Sequence, residues 1–306
     1  MSELRFDGRV AVITGGGRGL GRAYALLLAE RGAKVVVNDL GVSMQGDDAS
    51  AGPAEELAQE IRAAGGEAIA NSDSVATPEG GKAMIGAALG AFGRVDILIH
   101  SAGNVRKSPL KDMSYEDFES VLSVHLRGGF HVVREAFPLM CDQGYGRIVM
   151  TSSINGLYGK SDNVNYATSK AGLIGLSHTA AIEGAAHGVK SNVIVPAAVT
   201  RMSEGIDTSQ FPPMEPDMVA PAVAWLSHDD CSITGEILVA MGGRIGRAYL
   251  AETTGVYHPS WTVEQVAADI DAIRDTSDPK LFPPVPDGQL EHLLFGFDMA
   301  RKGGRA

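Results

Sequence analysis

The sequence predicts a doubly wound α/β fold, a seven-stranded parallel sheet with helices on both faces, followed by a C-terminal extension. Three observations carry this expectation. Apolar runs of strand length alternate with helix-length segments to about residue 240, and a glycine-rich turn closes the first of those runs. Tyr166 and Lys170 then stand four residues apart on a later helical segment that follows Ser153.

The strands are expected at Val10 to Thr14, Lys34 to Asn38, Glu67 to Asn71, Val95 to His100, Gly146 to Thr151, Lys190 to Val195 and Ile237 to Ala240. Such continuous Val/Ile/Leu runs belong to strands covered on both sides. Between them, Ser114 to Met140 and Asn163 to His187 read as the two long helices. Their small and apolar faces suit either subunit contacts or ordinary helix-sheet packing. The alternation pauses near Pro196. Residues 200–216 mix Ser, Gly, Pro and Asp with isolated Met202, Ile206, Phe211 and Met214, which suits either an apolar lid over a substrate or a connection whose hydrophobes tuck inward.

Residues 1–246 are thus expected to form the dinucleotide-binding and catalytic domain, and residues 247–306 the extension. The extension carries a helical stretch from Thr262 to Arg274 and an extended proline-rich link, Phe282-Pro283-Pro284-Val285-Pro286. A last helix is expected near Gln289 to Met299. This tail either folds over the substrate cleft or a neighbouring subunit, or projects into solvent.

The whole chain narrows the function classes. Its 306 residues are 44% hydrophobic and 21% charged, an ordinary globular composition. A net charge of −11 disfavours nonspecific nucleic-acid binding. Cys141 and Cys231 form neither a disulfide framework nor a metal-ligand spacing, so no metal is expected and a reducing cytosol suits them. No apolar run reaches the ~18 residues of a spanning helix, and the chain carries no terminal Ser-Lys-Leu, so a cytoplasmic protein with no membrane partner is expected.

The glycine turn, Thr14-Gly15-Gly16-Gly17-Arg18-Gly19-Leu20-Gly21, stands between Ala11-Val12-Ile13 and a helical Tyr24-Ala25-Leu26-Leu27-Leu28. Gly15, Gly19 and Gly21 let the backbone turn sharply and approach a pyrophosphate, and the helix aims its unpaired N–H groups at the anion. Gly17, Arg18 and Leu20 complete that loop. Asp39 ends the second strand, where a carboxylate can accept from both adenosine ribose hydroxyls. A 2′-phosphate there would meet like charge, at a cost of several kcal/mol at an effective dielectric of about 20. This favours NAD over NADP, although Arg18 could pair with a phosphate. Asp73 and Ser74 follow the third strand as adenine contacts or as a plain turn.

At the reacting centre, oxidising an alcohol needs a base for the hydroxyl proton, and reducing a ketone needs an acid. Tyr166 is the candidate for both. Bringing a tyrosine from about 10 to about 7 requires ~4 kcal/mol. One cation at ~4 Å in a dielectric of ~20 is worth about that much, so Lys170, helped by an oxidised nicotinamide, is expected to lower the tyrosine pKa. Ser153 would hold and polarise the substrate oxygen, or cap a helix or turn, a role Ser152 could equally fill.

With Thr14-Gly15 through Gly21, Asp39, Ser153, Tyr166 and Lys170, the chain resembles a short-chain dehydrogenase/reductase over residues 8 to about 243. Val36-Val37-Asn38-Asp39-Leu40-Gly41, Val124-His125-Leu126-Arg127-Gly128, Ile182-Glu183-Gly184 and Gly243-Arg244-Ile245-Gly246 narrow the likeness. They are similar to the (3R)-hydroxyacyl-CoA dehydrogenase unit of multifunctional enzymes and to its stand-alone bacterial relatives. The resemblance implies NAD as cofactor, a Ser/Tyr/Lys centre, and a homodimer or homotetramer built on the two long helices. It also implies oxidation of a 3-hydroxyacyl-CoA to the 3-ketoacyl-CoA. A hydroxysteroid is the alternative substrate, and a catalytically idle NAD-binding sensor or scaffold is the alternative of another class. Arg106, Lys107, Arg301, Lys302 and Arg305 could meet CoA phosphates or simply be solvated.

Three departures from the family pattern stand out. His100-Ser101-Ala102-Gly103 replaces the usual Asn-Asn-Ala-Gly, keeping the backbone of Ser101, Ala102 and Gly103 for the cofactor but losing the asparagine side-chain bonds. His125 aligns with the family's catalytic asparagine, as a relay through an imidazole nitrogen or as a structural histidine. Pro196-Ala197 replaces Pro-Gly, leaving Pro196, Val199 and Thr200 near a nicotinamide carboxamide.

Overall fold

The computed structural model describes residues 3–42, 52–200 and 212–303. The chain divides into two compact units, Met1–Arg247 and Ala248–Ala306. In the first, β1 (Val10–Thr14), β2 (Lys34–Asn38), β3 (Glu67–Asn71), β4 (Ile97–His100), β5 (Gly146–Thr151), β6 (Val189–Ala197), β7 (Ile237–Met241) and β8 (Arg244–Ala248) form one sheet. Their order is β3-β2-β1-β4-β5-β6-β7-β8, and the ladders from β3 through β7 are parallel.

The sheet therefore has eight strands rather than the seven expected. Gly242 and Gly243 join β7 to β8 with φ of +54° and +79°, the left-handed pair that reverses a chain in two residues. β8 is an edge strand, Arg-Ile-Gly-Arg-Ala, with exposed arginines in place of an apolar run. A search for apolar runs passes over such a strand.

The packed helices are α1 (Gly19–Glu30), α2 (Gly52–Ala63), α3 (Pro78–Phe92), α4 (Tyr115–Leu122), α5 (Gly128–Gln143), α6 (Ile154–Tyr158), α7 (Val164–Gly184) and α8 (Ala220–Ser227). The expected helix from Ser114 to Met140 is continuous, with a π-turn inside it. Ser114 caps α4 through the Asp117 N–H, and a π-turn, Ser123–Arg127, separates α4 from α5 before Gly144 ends the latter at φ +67°. Inserted π-turns place side chains that a straight helix would not, and this one buries His125. α7 ends in a short 3₁₀ turn, Ala185–His187.

In the second unit, the expected Thr262 to Arg274 helix is two pieces, α9 (Val263–Ala268) and α10 (Ile270–Ile273), meeting at Asp269; Thr262 and Gln265 form a capping box on the first. The proline-rich link is not extended throughout. The chain turns over residues 285–287, and Gly288 donates to the Pro284 carbonyl at the start of α11 (Gly288–Arg301). A side chain at Gly288 would collide with the Pro283 carbonyl, so glycine permits this close turn. No helix among the described residues is long and apolar enough to cross a membrane.

Leu28, Val35, Ile97, Ile99, Val149 and Leu226 are fully buried between sheet and helices. At the amino-terminal edge of the sheet, Asp96 is also fully buried. It accepts from the Val10 N–H at 2.9 Å, Arg9 at 3.1 Å and both branches of the Arg94 fork at 2.7 and 2.6 Å. Removing one member of a buried charge network strands the others. Asp96→Ala is thus expected to lower the unfolding free energy by about 3 kcal/mol, read as a fall in urea midpoint. A loss below about 1 kcal/mol would mean solvent serves those arginines as well as Asp96 does.

Candidate active site

The carboxyl ends of β1, β2, β4, β5 and β6 converge where the strand order reverses, since β1 lies between β2 and β4. After β1 the chain turns at Gly15, φ +64°, and a Cβ there would lie 2.7 Å from Ala102 Cα. A Cβ on Gly21 would lie within 2.1 Å of the Gly15 carbonyl oxygen. The turn closes only as bare backbone. Arg18, preceding α1, makes no capping bond, so the N–H groups of Gly19, Leu20 and Gly21 face outward for an anion.

Asp39 lies beside this turn. Its Oδ2 accepts from Gly17 N–H at 2.9 Å and its Oδ1 from Gly41 N–H at 2.8 Å. Each oxygen keeps a further lone pair for a hydroxyl. Arg18 donates to the Val42 carbonyl at 3.2 Å, so its guanidinium already has a partner at the same strand end. After β3, the Asp73 carboxylate accepts from Asn71 at 2.7 Å and its carbonyl from Asn38 at 2.9 Å, while the Ser74 hydroxyl accepts from Ala76 N–H at 3.2 Å.

On the other side of the switch point, Val199 donates its N–H to the Met214 carbonyl at 2.7 Å. Thr200 reaches the start of α1, where a Cβ on Gly19 would meet its methyl at 3.5 Å. Pro196 is paired within the sheet opposite Ala240. Met202, Ile206 and Phe211 lie outside the described residues, as does Arg305.

β5 and α7 build the polar centre. Ser153 caps α6, its Oγ accepting from Asn155 N–H at 3.2 Å. Ser152 has a different task, donating its hydroxyl to the Lys170 carbonyl at 2.7 Å. Lys170 is 3% exposed and donates from Nζ to the Thr151 carbonyl at 2.6 Å, with the Tyr166 ring centroid 5.4 Å away. Burial pushes the lysine down to about 7 and pushes the tyrosine up, with Ser153 opposing the latter. This corrects the expectation of a tyrosine lowered by Lys170. That expectation counted an ion pair and omitted the desolvation both groups share.

His125 packs edge-on against Tyr166, with centroids 5.1 Å apart and planes at 82°. Its Nε2 lies 2.9 Å from the Asn104 carbonyl and 3.2 Å from the Asn104 N–H. Nε2 serves one of these contacts according to the ring's tautomer, and Nδ1 has no partner among the described residues. Burial and Lys170 hold the ring neutral, well below its ordinary pKa.

Several contributors escape sequence reasoning. Thr14 Oγ1 accepts from Ser101 N–H at 3.1 Å and Ala102 N–H at 3.2 Å, fastening the β4 turn to β1. Asn165, fully buried, accepts from Tyr166 N–H at 2.8 Å and donates to the Arg106 and Asp117 carbonyls at 3.0 and 3.2 Å. Arg106 forms an ion pair with Asp117 at 3.3 Å, whereas Lys107 is exposed. The available signal is a short polar residue closing an apolar strand or opening a helix, which by itself does not name a partner.

This arrangement, a bare turn at a helix N-terminus with a serine, tyrosine and buried lysine at the neighbouring strand end, defines a dinucleotide-linked oxidoreductase. The chain belongs to the short chain dehydrogenase family, whose profile matches residues 9–210, and the family works with NAD or NADP. It is 50% identical over 260 residues to the peroxisomal multifunctional enzyme type 2 of Drosophila melanogaster, covering 84% of this chain and 43% of that protein. It is 34% identical over 255 residues to the hydroxyacyl-CoA dehydrogenase ChsB1 of Mycobacterium tuberculosis, covering 78% and 79% of the two. The structure of the full-length Drosophila enzyme superposes with a TM-score of 0.80 at 38% identity, over 97% of this chain and 51% of that one. The chain thus spans about half the length of that relative or less.

Proposed function

We propose that this protein is an NAD-dependent dehydrogenase that oxidises a 3-hydroxyacyl-CoA to the 3-ketoacyl-CoA. The observation carrying the chemistry is the grouping of Ser153, Tyr166 and Lys170, in which Ser153 opposes the rise of the tyrosine pKa and the lysine is buried beside the ring. The thioester substrate rests on the relatives. The cofactor fits the residues present, because the cradle tolerates no side chain at Gly15 or Gly21 and α1 is uncapped. Gly15, Gly17, Arg18, Gly19, Leu20 and Gly21 would hold the pyrophosphate, Asp39 the ribose, and Asp73 and Ser74 the adenine. Ser101, Ala102, Gly103, Pro196, Val199 and Thr200 would border the nicotinamide side.

When bound, the nicotinamide supplies the hydride acceptor. Ser153 holds the substrate hydroxyl. Lys170, pushed to about 7, is largely neutral above that pH and receives the Tyr166 proton, so that Tyr166 enters oxidation as phenolate, takes the substrate proton and leaves as phenol. The same group in reverse protonates a ketone. His125 limits rotation of the tyrosine ring and acts as a positioning residue. Exposed Phe130 on α5 and Ile182 on α7 support a homodimer or homotetramer, and the free thiols Cys141 and Cys231 suit a reducing compartment, cytoplasmic on our reading.

The test is NADH formation with a medium-chain (3R)-hydroxyacyl-CoA beside its 3S epimer, a 17β-hydroxysteroid and an NADP control. Turnover of the 3R thioester is expected; turnover of the steroid alone would replace the substrate class. Asp39→Ala is expected to lower the NAD/NADP preference by about tenfold or more, since it removes the anion that opposes a 2′-phosphate. An unaltered ratio would remove Asp39 from the ribose site.

A further inference from the structure

His100 ends β4 at the position where the family usually carries asparagine, and it is 1% exposed. Its Nε2 lies 2.8 Å from the His125 carbonyl oxygen, and its Nδ1 lies 2.9 Å from Thr14 Oγ1. The directions of these bonds follow from the donors alone. A carbonyl only accepts, so Nε2 carries the proton. Thr14 Oγ1 already accepts two N–H groups, from Ser101 and Ala102, so its hydroxyl must donate, and Nδ1 receives it. One directed chain therefore runs from the β4 turn through Thr14 and His100 to the His125 carbonyl.

Two features show that the fold is shaped around this ring. The His125 carbonyl belongs to the π-turn, where it also faces the Gly128 N–H and uses its second lone pair for the imidazole. Gly129, on the next turn, leaves room for His100, since a Cβ there would lie 3.3 Å from His100 Cδ2 and 2.7 Å from Leu173 Cδ2. Beyond the carbonyl, the His125 ring meets the face or edge of only one aromatic side chain among the described residues, Tyr166.

We propose that His100 is a positioning residue. Its Nε2–H anchors the π-turn at His125 and so sets the Tyr166 ring, while its Nδ1 ties that anchor, through Thr14, to the turn that borders the cofactor. The inference rests on the Tyr166 assignment above, and it adds a link that an asparagine, shorter than imidazole, does not span in the same way. An amide on a longer arm does, because glutamine presents an acceptor and a donor on one trigonal carbon as imidazole presents Nδ1 and Nε2.

The test has two parts. In the full chain labelled with [15N]histidine, the His100 resonances, assigned by their loss in His100→Gln, are expected to show a bare Nδ1 and a protonated Nε2 across the neutral range. A protonated Nδ1 would overturn the directed chain, and this result does not depend on turnover. In kinetics, His100→Phe is expected to lower kcat about thirtyfold with the KM for NAD changed less than about threefold, and His100→Gln to recover kcat to within about threefold. Equal loss in the two variants, or wild-type kcat in His100→Phe, would overturn the positioning role. Tyr166→Phe serves as the control: if it retains full turnover, the Tyr166 assignment fails, whatever the tautomer of His100.

Discussion

Tyr166→Phe is expected to lower kcat by about 10³-fold while leaving NAD affinity within about threefold of the wild type. The ring, its edge-on contact with His125 and the helix that carries it are retained, so the substitution removes one hydroxyl and little else. That hydroxyl, as phenolate, is the group assigned to take a proton from an alcohol. Single-turnover NADH formation measures the loss, and fluorescence titration measures binding of the dinucleotide. Undiminished turnover would remove Tyr166 from the chemistry. Undiminished binding with no turnover separates an enzyme from a dinucleotide sensor, because a sensor has no rate to lose.

Lys170→Met is expected to be nearly inactive and yet more stable than the wild type. Burial takes the Lys170 ammonium from 10.5 to about 7, so the folded protein holds this charge reluctantly. The sign follows from proton counting. Between pH 7 and 10.5 the unfolded chain binds the proton that the folded chain releases, so stability rises with pH across that window and the penalty is fullest below it. Each pKa unit is worth about 1.4 kcal/mol, and the lost bond to the Thr151 carbonyl returns part of it, so a gain of about 2 kcal/mol at pH 7 is expected for the variant. The difference between the two proteins should shrink by about 1.4 kcal/mol per pH unit above pH 7, vanish about 1.5 units higher and then favour the wild type. Denaturant unfolding at several pH values, without added NAD, reads both. Parallel pH curves would show that the ammonium is not penalised, and would take away the argument for a lysine that exchanges protons near neutrality. A residue that costs stability while occupying the reacting centre is a functional residue in the thermodynamic sense.

How much of this was legible before any coordinates differs by element. β1, β2 and β5 begin and end where the apolar runs do, because each is buried on both faces and burial is what such a run encodes. β8 was not legible, since an edge strand bounded by two left-handed glycines carries arginines instead. The π-turn between α4 and α5 was hidden for another reason. Ser123 to Arg127 continues the helical pattern, and a one-residue change of hydrogen-bond register leaves no mark in hydrophobic periodicity. Ser153 was weighed as substrate ligand or cap, and the structure has it capping α6 while opposing the rise of the Tyr166 pKa, whereas Ser152, the rival cap, holds the Lys170 carbonyl.

The sequence by itself determined the parallel α/β architecture, the bare turn opening α1, Asp39 at the end of β2, and Tyr166 one helical turn from Lys170. All of these are local, written in apolar periodicity, in glycines that admit no Cβ, or in a fixed helical spacing. Only the tertiary structure decided that Lys170 is desolvated against Thr151 and that Tyr166 is raised, because burial sums contributions from β5, α6 and α7 together. It alone also decided the meaning of His100. A histidine in place of an asparagine reads as a loss along the chain, and becomes a connection once β1, β4 and the π-turn bring Thr14 and the His125 carbonyl to opposite nitrogens of one ring.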